Sequence, residues 1–131
     1  LRTGTDLTIV AWSRMSHLAM RAADDLTKQN ISTEVIDLRT IYPWDREAVL
    51  ASVEKTGRLL VVQESVLAGG FANEIAAEVA QHLHWKLRAP VARLGAPRIP
   101  VGYAPILEAQ HRVEPEQIVR EGLRLVRASK S

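Results

Sequence analysis

The sequence predicts an α/β fold of three layers, α/β/α, with a mainly parallel sheet between two layers of helices. Four short apolar segments alternate with segments whose apolar residues recur at helical spacing, and the connections between them are short. This alternation implies right-handed crossovers between parallel strands, and the strand order we expect is 2-1-3-4. At 131 residues, 47% of them hydrophobic, the chain has the size and composition of one domain, residues 1–131.

The strand candidates are residues 7–12, 33–38, 58–63 and 91–94. The third of them is almost continuously aliphatic, as expected for a central strand that helices cover on both faces.

Start signals accompany three of the four predicted helices. Ser16 is the predicted N-cap of the first, Asp45 is that of the second, and Pro115 suits the first turn of the last. The apolar faces consist of Leu18, Ala19, Ala22, Ala23 and Leu26; Val49, Leu50 and Val53; Phe71, Ile75, Ala76, Val79 and Leu83; and Ile118, Val119, Gly122, Leu123 and Val126. Residues 95–114 contain three prolines and predict one long irregular segment on the surface.

Composition excludes several classes of function. The chain has no cysteine, which excludes disulfide frameworks, thiolate catalysis and zinc–thiolate sites. It has no apolar run near the roughly eighteen residues that span a bilayer, and its start, LRTGTDL, lacks the features of a signal peptide. We therefore expect no membrane partner and a cytoplasmic location of the bacterial type, with a mitochondrial matrix location left open.

Basic residues are concentrated in the last third of the chain. Residues 85–131 carry nine Lys and Arg against four Asp and Glu, whereas residues 1–84 carry eight against eleven. No aromatic residues are interleaved with these cations in the manner of nucleic-acid-binding proteins. We expect a solvated arginine-rich face, or next a protein-docking surface, and no nucleic-acid partner.

The stretch ESVLAGGFANEI leads from a strand through Gly69-Gly70 into a helix, the order found in phosphate-binding loops. A Walker loop would have a lysine after Gly70, and a dinucleotide loop would have G-x-G-x-x-G after the first strand; both are missing. The pattern favours a structural turn. A helix N-terminus can still attract an anion, so Arg14 with Gly69 and Gly70 remains an alternative anion-binding crevice between strands one and three.

Other catalytic patterns are missing as well. His82 and His84 are two residues apart and diverge on a helix, and the remaining histidines stand alone. Asp37 and Arg39 favour a local ion pair or loop anchor. The sequence therefore predicts no catalytic, metal-binding or cofactor-binding residue in this chain.

Several long stretches resemble one family. The segments GTDLTIVAWSRM, EVIDLRTIYPWD, KTGRLLVVQES, GGFANEIAAEVA and the AP…P…YAP region at residues 96–105 are similar to the C-terminal domain of 2-oxoacid dehydrogenase E1 beta subunits. That domain belongs to the transketolase C-terminal domain superfamily. The resemblance covers nearly the whole chain in order. Within it, VIDLRTIYPWD with GGFANEI looks most like the branched-chain enzyme, and pyruvate and acetoin dehydrogenase beta subunits are close.

This resemblance implies a parent heterotetramer of two alpha and two beta subunits that uses thiamine diphosphate and magnesium. The parent decarboxylates a 2-oxoacid and transfers the acyl group to the lipoyl group of an E2 transacylase. In the family, the diphosphate and metal are held by a GDG…N motif, and the catalytic glutamate lies in the N-terminal domain of the beta subunit; this chain contains neither region. We expect a fragment of a longer beta subunit that binds no cofactor itself.

The same resemblance assigns subunit contacts and part of the E2-docking surface to this domain, with Gly69, Gly70, Phe71, Arg88 and Arg98 as candidates. It also implies an antiparallel edge strand at the start, of which only Leu1-Arg2 remains.

Three positions depart from the family pattern. Arg88 stands before Ala89-Pro90 where relatives of pyruvate dehydrogenase commonly have an acid, Arg98 stands where an Asp is usual, and Gly102 replaces a proline. Two explanations are open: the E2 partner carries compensating acids, or docking differs or is absent. Two further alternatives are a domain of a pyruvate or acetoin dehydrogenase or other transketolase-like enzyme, and a free-standing anion-binding regulatory module.

Overall fold

The computed structural model describes residues 2–67, 69–96 and 113–128, which form a parallel sheet between two layers of helices. The strand order is β2-β1-β3-β4, so the predicted order and layering are confirmed. In chain order the elements are β1 (Leu7–Ala11), α1 (Arg14–Thr27), β2 (Thr33–Asp37), α2 (Arg46–Thr56), β3 (Leu59–Val66), α3 (Phe71–Leu83), a 3-10 turn (His84–Lys86), β4 (Ala92–Ala96) and α4 (Pro115–Arg127).

The sheet is buried on both faces, and alternate residues of each central strand serve different layers. In β1, Leu7 and Ile9 pack with α1 and α4, whereas Val10 packs with α2 and α3. In β3, the same division separates Leu60 from Leu59. This explains the nearly continuous aliphatic run of the third strand.

β3 and β4 are longer than the sequence indicates. β3 continues beyond the predicted end at Gln63, through Glu64 and Ser65 to Val66, and β4 continues beyond Leu94 to Ala96. Polar residues end the hydrophobic pattern at Gln63, but pairing between Val66 and Ala96, past an irregularity in the register, keeps both strands extended. Gly95 and Ala96 therefore belong to the sheet, and the rest of the predicted irregular segment up to residue 112 lies outside the described residues.

The start of α1 corrects one prediction and the other two helix starts are confirmed. The N-cap is Ser13 and the helix begins at Arg14, so the assignment of Ser16 as the cap is wrong. Ser16 is buried and its hydroxyl donates to Asp37 Oδ1 at 2.6 Å, which is a tertiary contact that local sequence cannot show. Asp45 accepts from the Ala48 N–H at 3.2 Å, and Pro115 is in the first turn of α4.

The outer edge of β2 is paired by the chain's first described residue. Arg2 forms an antiparallel bridge with Val35, through N–H···O bonds of 3.2 and 2.9 Å. Arg2 also donates to Thr27 Oγ1 at 2.8 Å and pairs with Asp24 on α1. The described part of the expected antiparallel edge strand is this single bridge.

The side chain of Glu34, on β2, also holds residues 2–4 against the sheet. Its Oε1 accepts from the Gly4 N–H at 3.0 Å and from Lys55 Nζ at 2.5 Å, and its side chain is 13% exposed. Burial raises the pKa of Glu34, but the hydrogen bonds from Lys55, Ser52 and Gly4 outweigh burial, and the net pKa lies below the ordinary value of 4.5.

We expect Glu34→Gln to lower the free energy of unfolding by about 1 kcal/mol at pH 7, because the amide keeps an acceptor for Gly4 but loses the charged bond to Lys55. A carboxyl whose pKa is depressed on folding contributes stability above its unfolded pKa, and this contribution is lost as the pH falls through the folded pKa. Urea unfolding at a series of pH values should therefore show the variant and wild type converging below pH 4.5.

The matched control is Glu54→Gln, which removes the exposed Glu54–Lys86 pair, 2.6 Å apart. Screening by solvent makes such a pair worth less than about 0.5 kcal/mol. A gap between Glu34→Gln and wild type that stays constant across the acid range would contradict the assignment.

Candidate functional site

The carboxyl edge of the sheet contains the Gly69-Gly70 turn, and each glycine is required for a different reason. Gly69 has φ 74°, a left-handed conformation that side chains rarely adopt. Gly70 has an ordinary φ, but a Cβ on it would lie 2.1 Å from the side-chain nitrogen of Gln63. The turn thus needs backbone freedom at one position and space at the next.

Gln63 caps α3 from inside the protein. It is 1% exposed, and its Oε1 accepts from the Ala72 N–H at 2.8 Å while its Nε2 donates to the Ser65 carbonyl at 3.3 Å. Asn73 reinforces the turn by donating to the Leu67 carbonyl at 2.7 Å. The Ala72 N–H in the first turn of α3 is therefore already satisfied by a side chain of this protein, and the geometry is that of a structural turn.

Four aromatic side chains form a patch beside this turn, which we call the aromatic patch: Trp12, Tyr42, Trp44 and Phe71. The other three rings meet Phe71 edge to face, with ring centroids 5.8, 5.6 and 5.9 Å from it. Tyr42 is 86% exposed. Trp and Tyr rings combine an apolar body with one polar group, and aromatic residues are enriched in protein interfaces.

A depression of about 680 Å³ adjoins the patch. It is lined by Ile41, Tyr42, Pro43, Trp44, Arg46, Gly69, Gly70, Phe71 and Glu74. A second depression, which contains Arg14, His17, Asp37 and Arg39, lies beside the start of α1. Arg14 and the two glycines thus line different depressions, and Arg14 is paired with Glu64, 3.6 Å apart. The structure does not bring the three residues of the anion-binding alternative into one depression.

The Asp37–Arg39 prediction is confirmed as a local ion pair. Arg39 Nε lies 3.6 Å from Asp37 Oδ2, and Asp37 also accepts from Ser16. Arg39 is 81% exposed, so the pair contributes little to stability and Asp37 acts chiefly as an anchor between β2 and α1.

Arg46, Glu78 and His82 link α2 to α3 at the rim of the first depression. Arg46 Nε donates to Glu78 Oε2 at 2.7 Å, and Arg46 Nη2 lies 2.9 Å from His82 Nε2. The hydrogen bond from Arg46 holds the pKa of Glu78 below its ordinary value, against a smaller effect of burial. The charge of Arg46 is therefore already balanced.

Arg88 lies at the opposite, amino edge of the sheet. It precedes β4, its N–H donates to the Gly57 carbonyl at 2.8 Å, and its side chain covers Gly57. Neighbouring Arg58 is buried and donates to the Asp6 carbonyl at 2.9 Å; burial, and then the charge of Arg88, lowers the pKa of Arg58. Arg88 and Phe71 thus belong to different surfaces, and Arg98 lies outside the described residues.

Sequence reasoning missed the aromatic patch and Gln63, and also Trp85, which is 71% exposed in the turn that precedes Arg88. A signal for the patch was present. Trp12, the Tyr42–Trp44 segment and Phe71 follow the carboxyl ends of β1, β2 and β3, and these strands are neighbours in the sheet. Gln63 gave no such signal, because its role depends on burial.

The described residues do not fit a site for thiamine diphosphate and magnesium. No group of three or more His, Asp and Glu side chains among them could hold a metal ion. The α3 N-terminus is capped by Gln63, and Arg14 is paired with Glu64.

In the part of the chain that the structure describes, no helix has the length and apolar character needed to cross a membrane.

Comparison with known proteins decides the family. The model of the transketolase C-terminal domain matches residues 1–118. The chain belongs to this family. The structure of a split-gene transketolase, an inactive beta4 tetramer, superimposes with a TM-score of 0.84 over 98% of this chain and 41% of that one, at 23% identity, and supports the fold of this transketolase C-terminal domain.

Three of the curated relatives that match are beta subunits of three different enzymes. The chain is 40% identical to the 2-oxoisovalerate dehydrogenase subunit beta of Bacillus subtilis over 118 residues, which are 89% of this chain and 36% of the relative. It is 48% identical to the pyruvate dehydrogenase E1 component subunit beta of the same organism over 96 residues, 73% of this chain and 30% of that protein. It is 38% identical to the beta subunit of the acetoin:2,6-dichlorophenolindophenol oxidoreductase of Cupriavidus necator over 99% of this chain and 38% of the relative. The chain spans about a third of the length of these relatives.

Proposed function

We propose that this domain is the C-terminal part of the beta subunit of a 2-oxoacid dehydrogenase E1 component, serving subunit assembly and E2 docking. The observation that carries the proposal is the 38–48% identity to such beta subunits, and to that of the acetoin enzyme, over most of the chain. The described site adds support, because it consists of a structural turn and an aromatic surface.

The parent enzyme would use thiamine diphosphate and magnesium bound by regions outside this chain. The cofactor would supply the chemistry of decarboxylation, and this domain would position the subunits that hold it. The described residues suit this division of labour, since the α3 N-terminus is capped by Gln63 and Arg46 is engaged by Glu78.

The aromatic patch is our candidate for the contact with an alpha subunit or the second beta subunit. Trp and Tyr are enriched among the residues that dominate binding energy at interfaces. Tyr42 is 86% exposed, and Phe71 holds the surrounding rings in place. Gly69 and Gly70 contribute by fixing the start of α3, on which Phe71 lies.

The substrate we propose is a branched-chain 2-oxoacid. Support comes from the VIDLRTIYPWD and GGFANEI segments and from the relative that acts on 2-oxoisovalerate, which matches 89% of the chain. The endogenous protein that carries this sequence should be tagged, isolated with its partners, and assayed for substrate-dependent reduction of ferricyanide with thiamine diphosphate and magnesium. A higher kcat/KM for 3-methyl-2-oxobutanoate than for pyruvate or acetoin is expected. A preference for pyruvate or acetoin would place the protein with the other relatives.

For E2 docking we propose the surface around Arg88, where Trp85 is 71% exposed. An arginine beside the buried Arg58 makes this surface basic and favours an E2 partner with acidic residues. This surface lies at the amino edge of the sheet, so E2 and a partner subunit at the aromatic patch could bind together.

Arg88→Asp should strengthen binding to a basic E2 binding domain by about tenfold or more, because a like-charge contact becomes an opposite-charge one. Isothermal titration of the isolated parent protein with that domain measures the change. Arg88→Lys preserves the charge and should leave the affinity unchanged. An affinity that Arg88→Asp does not alter would show that Arg88 lies outside the docking surface.

A further inference from the structure

We propose that the 680 Å³ depression beside the aromatic patch receives a cationic side chain, arginine or lysine, from a partner protein. This inference adds detail to the proposed role in subunit assembly. Only the identity of the partner depends on that role; the preference of the depression for a cation does not. The site is the space between the Tyr42–Trp44 segment and the first turn of α3, which contains Phe71 and Glu74.

Three aromatic rings, those of Tyr42, Trp44 and Phe71, form much of the lining of the depression. Tyr42 and Trp44 meet Phe71 at interplanar angles of 67° and 85°, so the rings stand as walls at different angles and do not form a closed stack. Tyr42 is 86% exposed, which leaves its ring open to an incoming group. Ring faces attract cations that lie within about 6 Å of the centroid, and arginine is the commonest protein partner.

The charged groups in and beside the lining favour a cation over an anion. Among the described residues, exposed Glu74 has no hydrogen-bond or ion-pair partner, although it lines the depression. Arg46 also lines it, but its guanidinium is held by Glu78 Oε2 at 2.7 Å and lies against His82. Arg46 is thus paired with Glu78, which lies beside the lining and not in it, and the charge of Glu74 next to the aromatic rings is unmatched.

A small peptide tests this chemistry without the partner. The chain, labelled with ¹⁵N, is titrated with acetyl-Gly-Arg-Gly-amide while the indole N–H signals of Trp12 and Trp44 are followed by NMR. The control peptide replaces arginine with citrulline, which has nearly the same shape and no charge. We expect saturable shifts of the Trp44 signal with the arginine peptide, and binding at least about threefold weaker with the citrulline peptide.

Two variants separate the contributions of charge and ring. Glu74→Gln should weaken binding of the arginine peptide about threefold and leave the citrulline peptide unaffected. Tyr42→Leu, which keeps an apolar side chain without the ring, should weaken the arginine peptide about two- to fivefold. Glu116→Gln, on α4 in the other helical layer, is the matched control and should change nothing.

Equal affinity for the two peptides would overturn the proposal in favour of an uncharged occupant, and stronger shifts with inorganic phosphate would overturn it in favour of an anion. The absence of any saturable shift, or of an effect of Glu74→Gln, would also overturn it. Failure of the assembly role is distinguishable, since it appears as isolation of the parent protein without an alpha subunit, whatever the peptide does.

Discussion

Gly70→Ala is expected to lower the free energy of unfolding by about 2–4 kcal/mol. The new Cβ would lie 2.1 Å from Gln63 Nε2 and 2.8 Å from its Oε1, and the Gln63 side chain is fully buried. The amide must therefore move, and the Ala72 N–H loses its acceptor. Overpacking and an unsatisfied buried donor each cost about 1–3 kcal/mol.

Gly69→Ala is the matched control, measured with Gly70→Ala by urea unfolding. At Gly69 nothing lies within 4 Å of the added Cβ, so only the positive φ of 74° is penalised, by about 1 kcal/mol. Gln63→Ala removes the amide that the new methyl meets. The double variant Gly70→Ala/Gln63→Ala should therefore cost less than the sum of its parts. Additive costs, or a Gly70→Ala cost no larger than that of Gly69→Ala, would contradict the role of Gln63.

Gly4→Ala is the second large effect, with an expected loss of about 2–4 kcal/mol. The added Cβ would lie 2.3 Å from the carbonyl carbon of Thr33 and 2.5 Å from the Glu34 nitrogen, which are backbone atoms of β2. The backbone of β2 cannot move without breaking its hydrogen bonds to β1. Residues 2–4 must therefore move away from β2. This releases the bridge to Val35, the bond to Glu34 and the contacts of Arg2 with α1, each worth about 0.5–1.5 kcal/mol.

Displacement of residues 2–4 also exposes the outer edge of β2, and an unpaired strand edge can pair with another chain. Gly4→Ala should therefore increase self-association in concentration-dependent sedimentation, together with the shift in urea midpoint. Thr3→Ala, at an exposed neighbour, should leave both unchanged. A Gly4→Ala chain that unfolds and sediments like wild type would show that the segment contributes nothing to the edge.

The fold followed from the sequence because its signals are local and periodic. The aliphatic run of β3, the apolar faces of the helices, and Asp45 and Pro115 at helix starts each act within a few residues. Ser16 misled the prediction because its hydroxyl bonds to Asp37, twenty-one residues away along the chain. β3 was predicted too short because pairing with β4, and not its own polar residues, decides where it ends.

The site was less predictable, for the same physical reason. Gly69 and Gly70 were recognised as a turn, but the buried amide of Gln63 that makes Gly70 necessary acts across the turn. The aromatic patch exists only because three strand ends meet at one edge. Of the residues named from the sequence as candidates for subunit contacts or E2 docking, Arg88 lies at the amino edge of the sheet and Phe71 at the carboxyl edge, since Arg88 precedes β4 and Phe71 follows β3.

The most direct test of the central claim is the native mass of the endogenous protein that carries this sequence, isolated under mild conditions. The 118 residues that match the 2-oxoisovalerate dehydrogenase relative are 36% of that protein, so its length is roughly 330 residues. We predict a beta subunit of about this length in an assembly of two beta and two alpha subunits. A protein of 14.5 kDa that migrates alone would contradict the assembly role.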